Sequence, residues 1–276
     1  MQVLPEDVAG ATRQHLDAVD AAAPGLIRAL YVTGSVALGD YHPGRSDIDF
    51  MAFTARPLTD EDVAMLREVH ASLTAPKHYD GNYVGWHELP HVPDDEPPRP
   101  HLVDGELRTD DCHELTPSTW TEFRQYAIAV RGPAASALRV SITRQRLHEW
   151  NLGNLNGYWD GWASAAASYL ERRDPAAILD DAEVVCWGAL GAARLHYTLA
   201  TGDITSKSGA GRYALEHFGA YENVITAALA WRATGNGEFT HAMALDSAEL
   251  VRAIVKDANQ RWGPQGNAAI SASRMA

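Results

Sequence analysis

Two short apolar runs with unusual polar residues at their edges constrain this chain more than any other stretch. Residues 26–33 read as a strand rich in Leu, Ile, Tyr and Val that ends at Gly34-Ser35. A loop over 39–46, with Gly, His and Pro, leads to a second strand expected over 47–54, which opens with Asp47-Ile48-Asp49. Alternate residues of a strand share a face, so Asp47 and Asp49 project together while Ile48 faces the core. Two carboxylates side by side repel unless a divalent cation lies between them, which makes the pair a candidate Mg²⁺ platform. The Gly34-Ser35 turn beside it offers backbone N–H groups and a hydroxyl to a phosphate. Metal beside phosphate points to nucleotide chemistry.

The overall charge narrows the partners. With a formal net charge of −13, the chain lacks the basic footprint that DNA or RNA phosphates demand, so no nucleic-acid partner is expected. The same charge attracts small cations through long-range steering. No apolar run reaches the length of a membrane span, so no membrane partner is expected either. Cys112 and Cys186 are too few for a disulfide framework and lack metal-site spacing. Reduced thiols and a start with neither a basic region nor a signal-type apolar stretch make the cytoplasm the expected location.

Along the chain, a helix is expected over 6–22, stopped by Pro24-Gly25. Thr59 and Asp62 have the spacing of a capping box, and the helix behind them runs to about residue 73 with Val63, Leu66 and Val69 on one side. A third strand is expected over 78–86. Residues 89–111 are rich in Pro and acidic groups and read as a long surface loop with short strands near 101–103 and 106–108. The rest reads as helices over 117–130, 140–172 (one long helix or a broken pair, with Gly153, Gly157 and Gly161 as weak points), 176–201, 207–217, 221–234 and 246–262. The expected class is α+β: a head with a mixed sheet and helices over 1–133, then an all-α bundle over 134–276.

Gly34-Ser35 followed by Asp47-Ile48-Asp49 resembles the signature of the polymerase β type nucleotidyltransferase superfamily: hG[GS], a spacer, then [DE]h[DE]. The order, the spacing and the apolar residues before each half carry the resemblance together. Such proteins place a third carboxylate on the next strand, and Asp80 stands there; Asp80-Gly81-Asn82 is also good turn chemistry, so a strand-end turn is its other assignment. The second half resembles the helical domain of aminoglycoside adenylyltransferases acting on streptomycin and spectinomycin. There Arg194 sits on an apolar helix, Gly202 stops it, and Ser206-Lys207 opens an aromatic-Ala helix containing Tyr213-Ala214; Gly132-Pro133 resembles the junction ahead of that domain.

The resemblance implies AMP transfer from ATP to a hydroxyl of a small, cationic acceptor, with release of pyrophosphate. Asp47, Asp49 and Asp80 would hold two Mg²⁺ ions, with Asp80 also taking the acceptor's proton. Gly34 and Ser35, helped by Arg45 and Ser46, would bind phosphates, and Arg194 and Lys207 would meet them from the helical domain. An unpaired Arg194 inside an apolar helix also needs an anion on physical grounds; a salt bridge to Glu183 or Asp181 is the competing account. Asp80, Glu88, Asp181 and Glu183 are candidates for an acidic wall, and Trp86, Trp159 and Trp187 for stacking on a sugar, with the core as each tryptophan's other assignment. Of these, Asp80, Trp86, Asp181 and Trp187 are taken as acceptor residues. The expected assembly is a monomer or weak dimer.

The pattern also departs from the family. Streptomycin-modifying relatives use a Trp in the loop region and an Asp near the start of the Arg-bearing helix; the corresponding positions here are Leu107 and Val184. Asp80 also stands where aminoglycoside-modifying relatives generally carry Glu. Two other readings remain open at this point: a toxin-type nucleotidyltransferase acting on a protein or tRNA, and a non-catalytic nucleotide-binding protein.

Overall fold

A strand over Ile27–Val32 (β1) follows helix α1 (Glu6–Ala22) at the Pro24-Gly25 break, and a one-turn helix α2 (Gly34–Ala37) caps it. The computed structural model describes residues 3–74, 78–89, 98–110, 115–174 and 182–263. Next come β2 (Ile48–Thr54), α3 (Asp60–Ser72), β3 (Tyr79–Gly85), the hairpin β4 (His101–Val103) and β5 (Glu106–Arg108), then α4 (Pro117–Tyr126) and β6 (Ile128–Arg131). They form a six-stranded sheet ordered β5-β4-β3-β2-β1-β6, in which β2 and β3 run parallel and the other neighbours antiparallel.

Alternation along the strands sorts the head into two layers. Leu30, Val32, Ile48, Phe50, Ala52, Tyr79 and Tyr83 face a core with Val8, Leu16 and Val19 of α1 and Val63, Leu66 and Val69 of α3. Ala29, Tyr31, Met51, Phe53 and Val84 face the opposite core with Trp120 and Phe123 of α4. By the same alternation Asp49 and Asp80 lie on the α4 side of the sheet. The α3 cap forms as its sequence implies: Asp62 N–H donates to Thr59 Oγ1 at 3.2 Å and Thr59 N–H to Asp62 Oδ2 at 2.8 Å. Arg56 also grips Asp62 through both oxygens, and holds its carboxyl down at about 2.

The helical half contains α5 (Arg144–Asn154), α6 (Asp160–Leu170), α7 (Ala182–Thr201), α8 (Lys207–His217), α9 (Glu222–Thr234) and α10 (His241–Trp262). Its core gathers Leu155, Trp159, Leu190, Ile225, Leu250, Val251 and Ile254. Cys186 is buried there as a free thiol, pushed up to about 12 by burial, while Cys112 lies outside the described residues. None of the helices, among the described residues, is long and apolar enough to cross a membrane.

Three expectations need correction. Residues 128–131 are a strand, not the end of a helix: α4 stops at Tyr126, and Ile128 pairs with Val32 at the sheet edge. Tertiary pairing overrode a sequence without a breaker before Gly132. Residues 140–143 are not helical; of the two forms expected beyond them the continuous one holds, since α5 and α6 join through a π-helical turn, Leu155–Trp159. The last helix starts at His241, because Thr240 accepts from Met243 N–H at 3.2 Å. The chain divides into compact units Met1–Thr143 and Arg144–Ala276. Ala135 and Val140 account for the head's extension past Gly132-Pro133, since both pack into the α4-side core.

Candidate active site

Asp49 is fixed by its neighbours on both sides. Its carbonyl accepts Thr33 N–H at 2.9 Å, which joins the end of β1 to β2. Across the parallel pair it is the register partner of Asp80. Gly34 takes φ +60°, and a Cβ built there would lie 1.8 Å from Asp49 Oδ2. The glycine is therefore demanded twice, by its left-handed backbone and by the carboxylate resting on it. The two halves of the sequence signature meet at that contact.

Asp47 lies just before β2 and is exposed, Asp49 is partly buried, and Asp80 is only 8% exposed. The sheet thus brings the three expected carboxylates to one edge, at the starts of β2 and β3. Their oxygens are not gathered to ligand spacing. Among the described residues, the group of three metal-ligating side chains whose ligand atoms all lie within 4.8 Å of one another is His78, Asp80 and Asp104. Asp80 Oδ1 accepts the Asp104 N–H at 3.0 Å.

The phosphate-binding candidates are more committed than the sequence implies. Gly34 N–H donates to Glu122 Oε1 at 2.6 Å, so a buried carboxylate from α4 already holds that amide. Glu122 escaped the sequence reading; its signal is a lone acid among Trp120, Thr121 and Phe123, which are all buried. Ser35 Oγ reaches the Asp47 carbonyl at 3.5 Å. Ser46 Oγ accepts His42 N–H at 3.0 Å and so shapes the loop, while Arg45 is exposed.

In the helical unit, Trp187 and Arg194 sit seven positions apart on α7, on one face of that helix. Lys207, the first residue of α8, sets its Nζ 5.1 Å from the centre of the Trp187 ring, a cation–π distance. The other face of Trp187's surroundings is aromatic: its ring stacks on Trp159 at 5.4 Å and its N–H donates to Tyr158 Oη at 3.1 Å. Trp159 itself is core. Arg194 is partly buried, and among the described residues no ion pair to Glu183 holds it.

Not every expected residue joins a site. Trp86 follows the far end of β3, six residues from Asp80 and on the order of 20 Å along the strand. There it lies under the Arg28 guanidinium, 4.1 Å from its ring centre, so the structure does not bring it to the carboxylates. Glu88, at that same end, is engaged by Arg99 and by Gly85 N–H. Asp181 lies outside the described residues. Leu107 is buried in the head core, and Val184 is an exposed apolar residue.

Comparison with known proteins agrees with this geometry. Residues 12–78 match the nucleotidyltransferase domain family, a span that contains Gly34, Ser35, Asp47 and Asp49. No curated protein matches the chain in sequence. Among solved structures, spectinomycin adenyltransferase AAD(9) from Enterococcus faecialis, crystallised with ATP and spectinomycin, aligns with a TM-score of 0.62 at 14% sequence identity. The alignment covers 89% of this chain and 98% of that one, so the shared fold reaches into the helical half as well as the head. The chain carries a nucleotidyltransferase domain and is an enzyme of that kind, with the fold of a spectinomycin adenyltransferase.

Proposed function

We propose that the protein transfers AMP from ATP to a hydroxyl of a small cationic acceptor, an aminocyclitol or aminoglycoside antibiotic, and releases pyrophosphate. The observation that carries this reading is the Gly34–Asp49–Asp80 arrangement, in which one carboxylate is seated on the glycine turn and registered against another. Asp47, Asp49 and Asp80 supply an all-oxygen donor set suited to Mg²⁺. Two Mg²⁺ ions held there would offset the charge that builds on the phosphates during in-line displacement. Asp80 takes the acceptor's proton as the new O–P bond forms and the bond to pyrophosphate breaks. Arg194 and Lys207 are assigned to the phosphates, and Trp187 beside Lys207 to the acceptor or the nucleoside.

The net charge of −13 suits a cationic acceptor. Leu107 and Val184 give no aromatic or acidic group where streptomycin-modifying relatives carry one, so spectinomycin is the expected substrate of the pair. Resistance to such a drug is the biological role that follows. The test is pyrophosphate release with Mg-ATP across spectinomycin, streptomycin, other aminoglycosides and lincosamides. Release with spectinomycin and little with streptomycin is expected. AMP transfer to a protein, with no release on any drug, would replace this reading by the toxin-type one.

A second prediction concerns the cations. Arg194→Gln and Lys207→Ala should each raise KM for ATP about tenfold, the size of one lost charge-assisted phosphate contact. Lys207→Ala should also change Trp187 fluorescence in the absence of any ligand. An unchanged KM in both variants would remove them from the phosphate site.

A further inference from the structure

Asp80 is built into more than the Asp49 pair. His78, immediately before β3, has φ +70°, and its carbonyl accepts Ile48 N–H at 2.9 Å, so β2 fixes its place. Asp104 and Gly105, with φ of +52° and +76°, join β4 to β5. Positive φ at both central residues is the type I′ hairpin turn that Asp-Gly favours. The tip of that hairpin is docked on Asp80 by the Asp104 N–H, which places Asp104 Oδ1 3.5 Å from His78 Nδ1. Two separate chain segments thus deliver one imidazole and two carboxylates to a single point, with all ligand atoms within 4.8 Å. Asp49, the register partner of Asp80, adds a third carboxylate beside them.

The donor chemistry differs from that of the Asp47/Asp49 edge. Mg²⁺ takes oxygen ligands and water, whereas an imidazole with two carboxylates suits a borderline first-row ion. Metal–ligand bonds of about 2.0–2.2 Å place ligand atoms roughly 3–4 Å apart, a range that holds the 3.5 Å between His78 Nδ1 and Asp104 Oδ1. We propose that His78, Asp80 and Asp104 form a second divalent-cation site, selective for manganese, cobalt or zinc over magnesium, that shares Asp80 with the Asp47/Asp49 edge. The competing account is a plain His78–Asp104 ion pair. The site stands whether or not the chain transfers AMP, because it is defined by binding.

The test uses the untagged full-length chain without nucleotide, in excess Mg²⁺, titrated with Mn²⁺ and followed by electron paramagnetic resonance. One bound Mn²⁺ showing coupling to an imidazole nitrogen is expected, displaced by Zn²⁺. His78→Asn keeps a residue that tolerates the left-handed backbone and should abolish the nitrogen coupling, with affinity down at least about tenfold. Asp104→Asn keeps the turn, since Asn-Gly is equally suited to it, and should weaken binding while the coupling persists. Asp47→Asn should leave the nitrogen-coupled ion in place. No binding above the Mg²⁺ background, bound Mn²⁺ without nitrogen coupling, or unchanged affinity in His78→Asn would each overturn the site and leave the ion pair.

Discussion

Asp49→Asn is expected to lower kcat by roughly three orders of magnitude with the head still folded, and Gly34→Ala to do nearly as much without touching any charged group. The first removes a charge from the edge where phosphates and cations meet. The second acts through geometry. An L-residue at φ +60° costs about 1–2 kcal/mol, and the new methyl would overlap Asp49 Oδ2, only 1.8 Å away. Because that oxygen ends a side chain, Asp49 can swing away, so the fold survives and the carboxylate is misplaced. Melting temperature should fall modestly in Gly34→Ala and hardly at all in Asp49→Asn, while pyrophosphate release collapses in both. Full activity in Gly34→Ala would mean that the Asp49 contact is incidental.

That contact explains why the centre of the site could be read in the sequence. Gly34, Asp47 and Asp49 act through local conformation: a turn that only glycine fits, and an alternation that a strand enforces. The Thr59–Asp62 cap was legible for the same reason, as it joins residues a few positions apart. Glu122 was not. Its bond to Gly34 N–H spans 88 positions and exists only once α4 has packed on the sheet. β6 escaped likewise, since Ile128 and Val130 carry no mark of the edge they pair with, and Arg131 finds Asp20 at 2.9 Å only through the fold. Asp80 lay between these cases: its place on a strand was readable, but the turn that docks on it was not.

Acidification should destabilise the head between about pH 6.5 and 4, before its carboxylates are protonated. Behind β2 and β3 lies a buried chain of rings: His15 Nδ1 meets Tyr79 Oη at 2.9 Å, His15 Nε2 meets Tyr83 Oη at 2.7 Å, and that same oxygen meets His70 Nε2 at 2.6 Å. Burial holds both imidazoles neutral, pulling His70 down to about 4 and His15 down as well, the latter with help from the neighbouring His70. Both groups have depressed folded values, so as pH falls below 6.5 the unfolded chain binds protons that the folded one refuses, and stability declines. For His70 the loss is complete near pH 4 and amounts to about 3 kcal/mol, with His15 adding in the same direction. Asp62, held at about 2 by Arg56, loses its contribution only below the ordinary carboxylate range, so the two windows separate. His196 in the helical unit is lowered too, burial outweighing its bond to Asp257, so whole-chain melting would mix the two units. Amide exchange read at β2 and β3 between pH 4 and 7 isolates the head. His70→Gln keeps a partner for Tyr83 and removes one titrating group, and should take about 1.4 kcal/mol per pH unit off the slope at the acid side of that window. A slope unchanged by that substitution would place the acid sensitivity elsewhere.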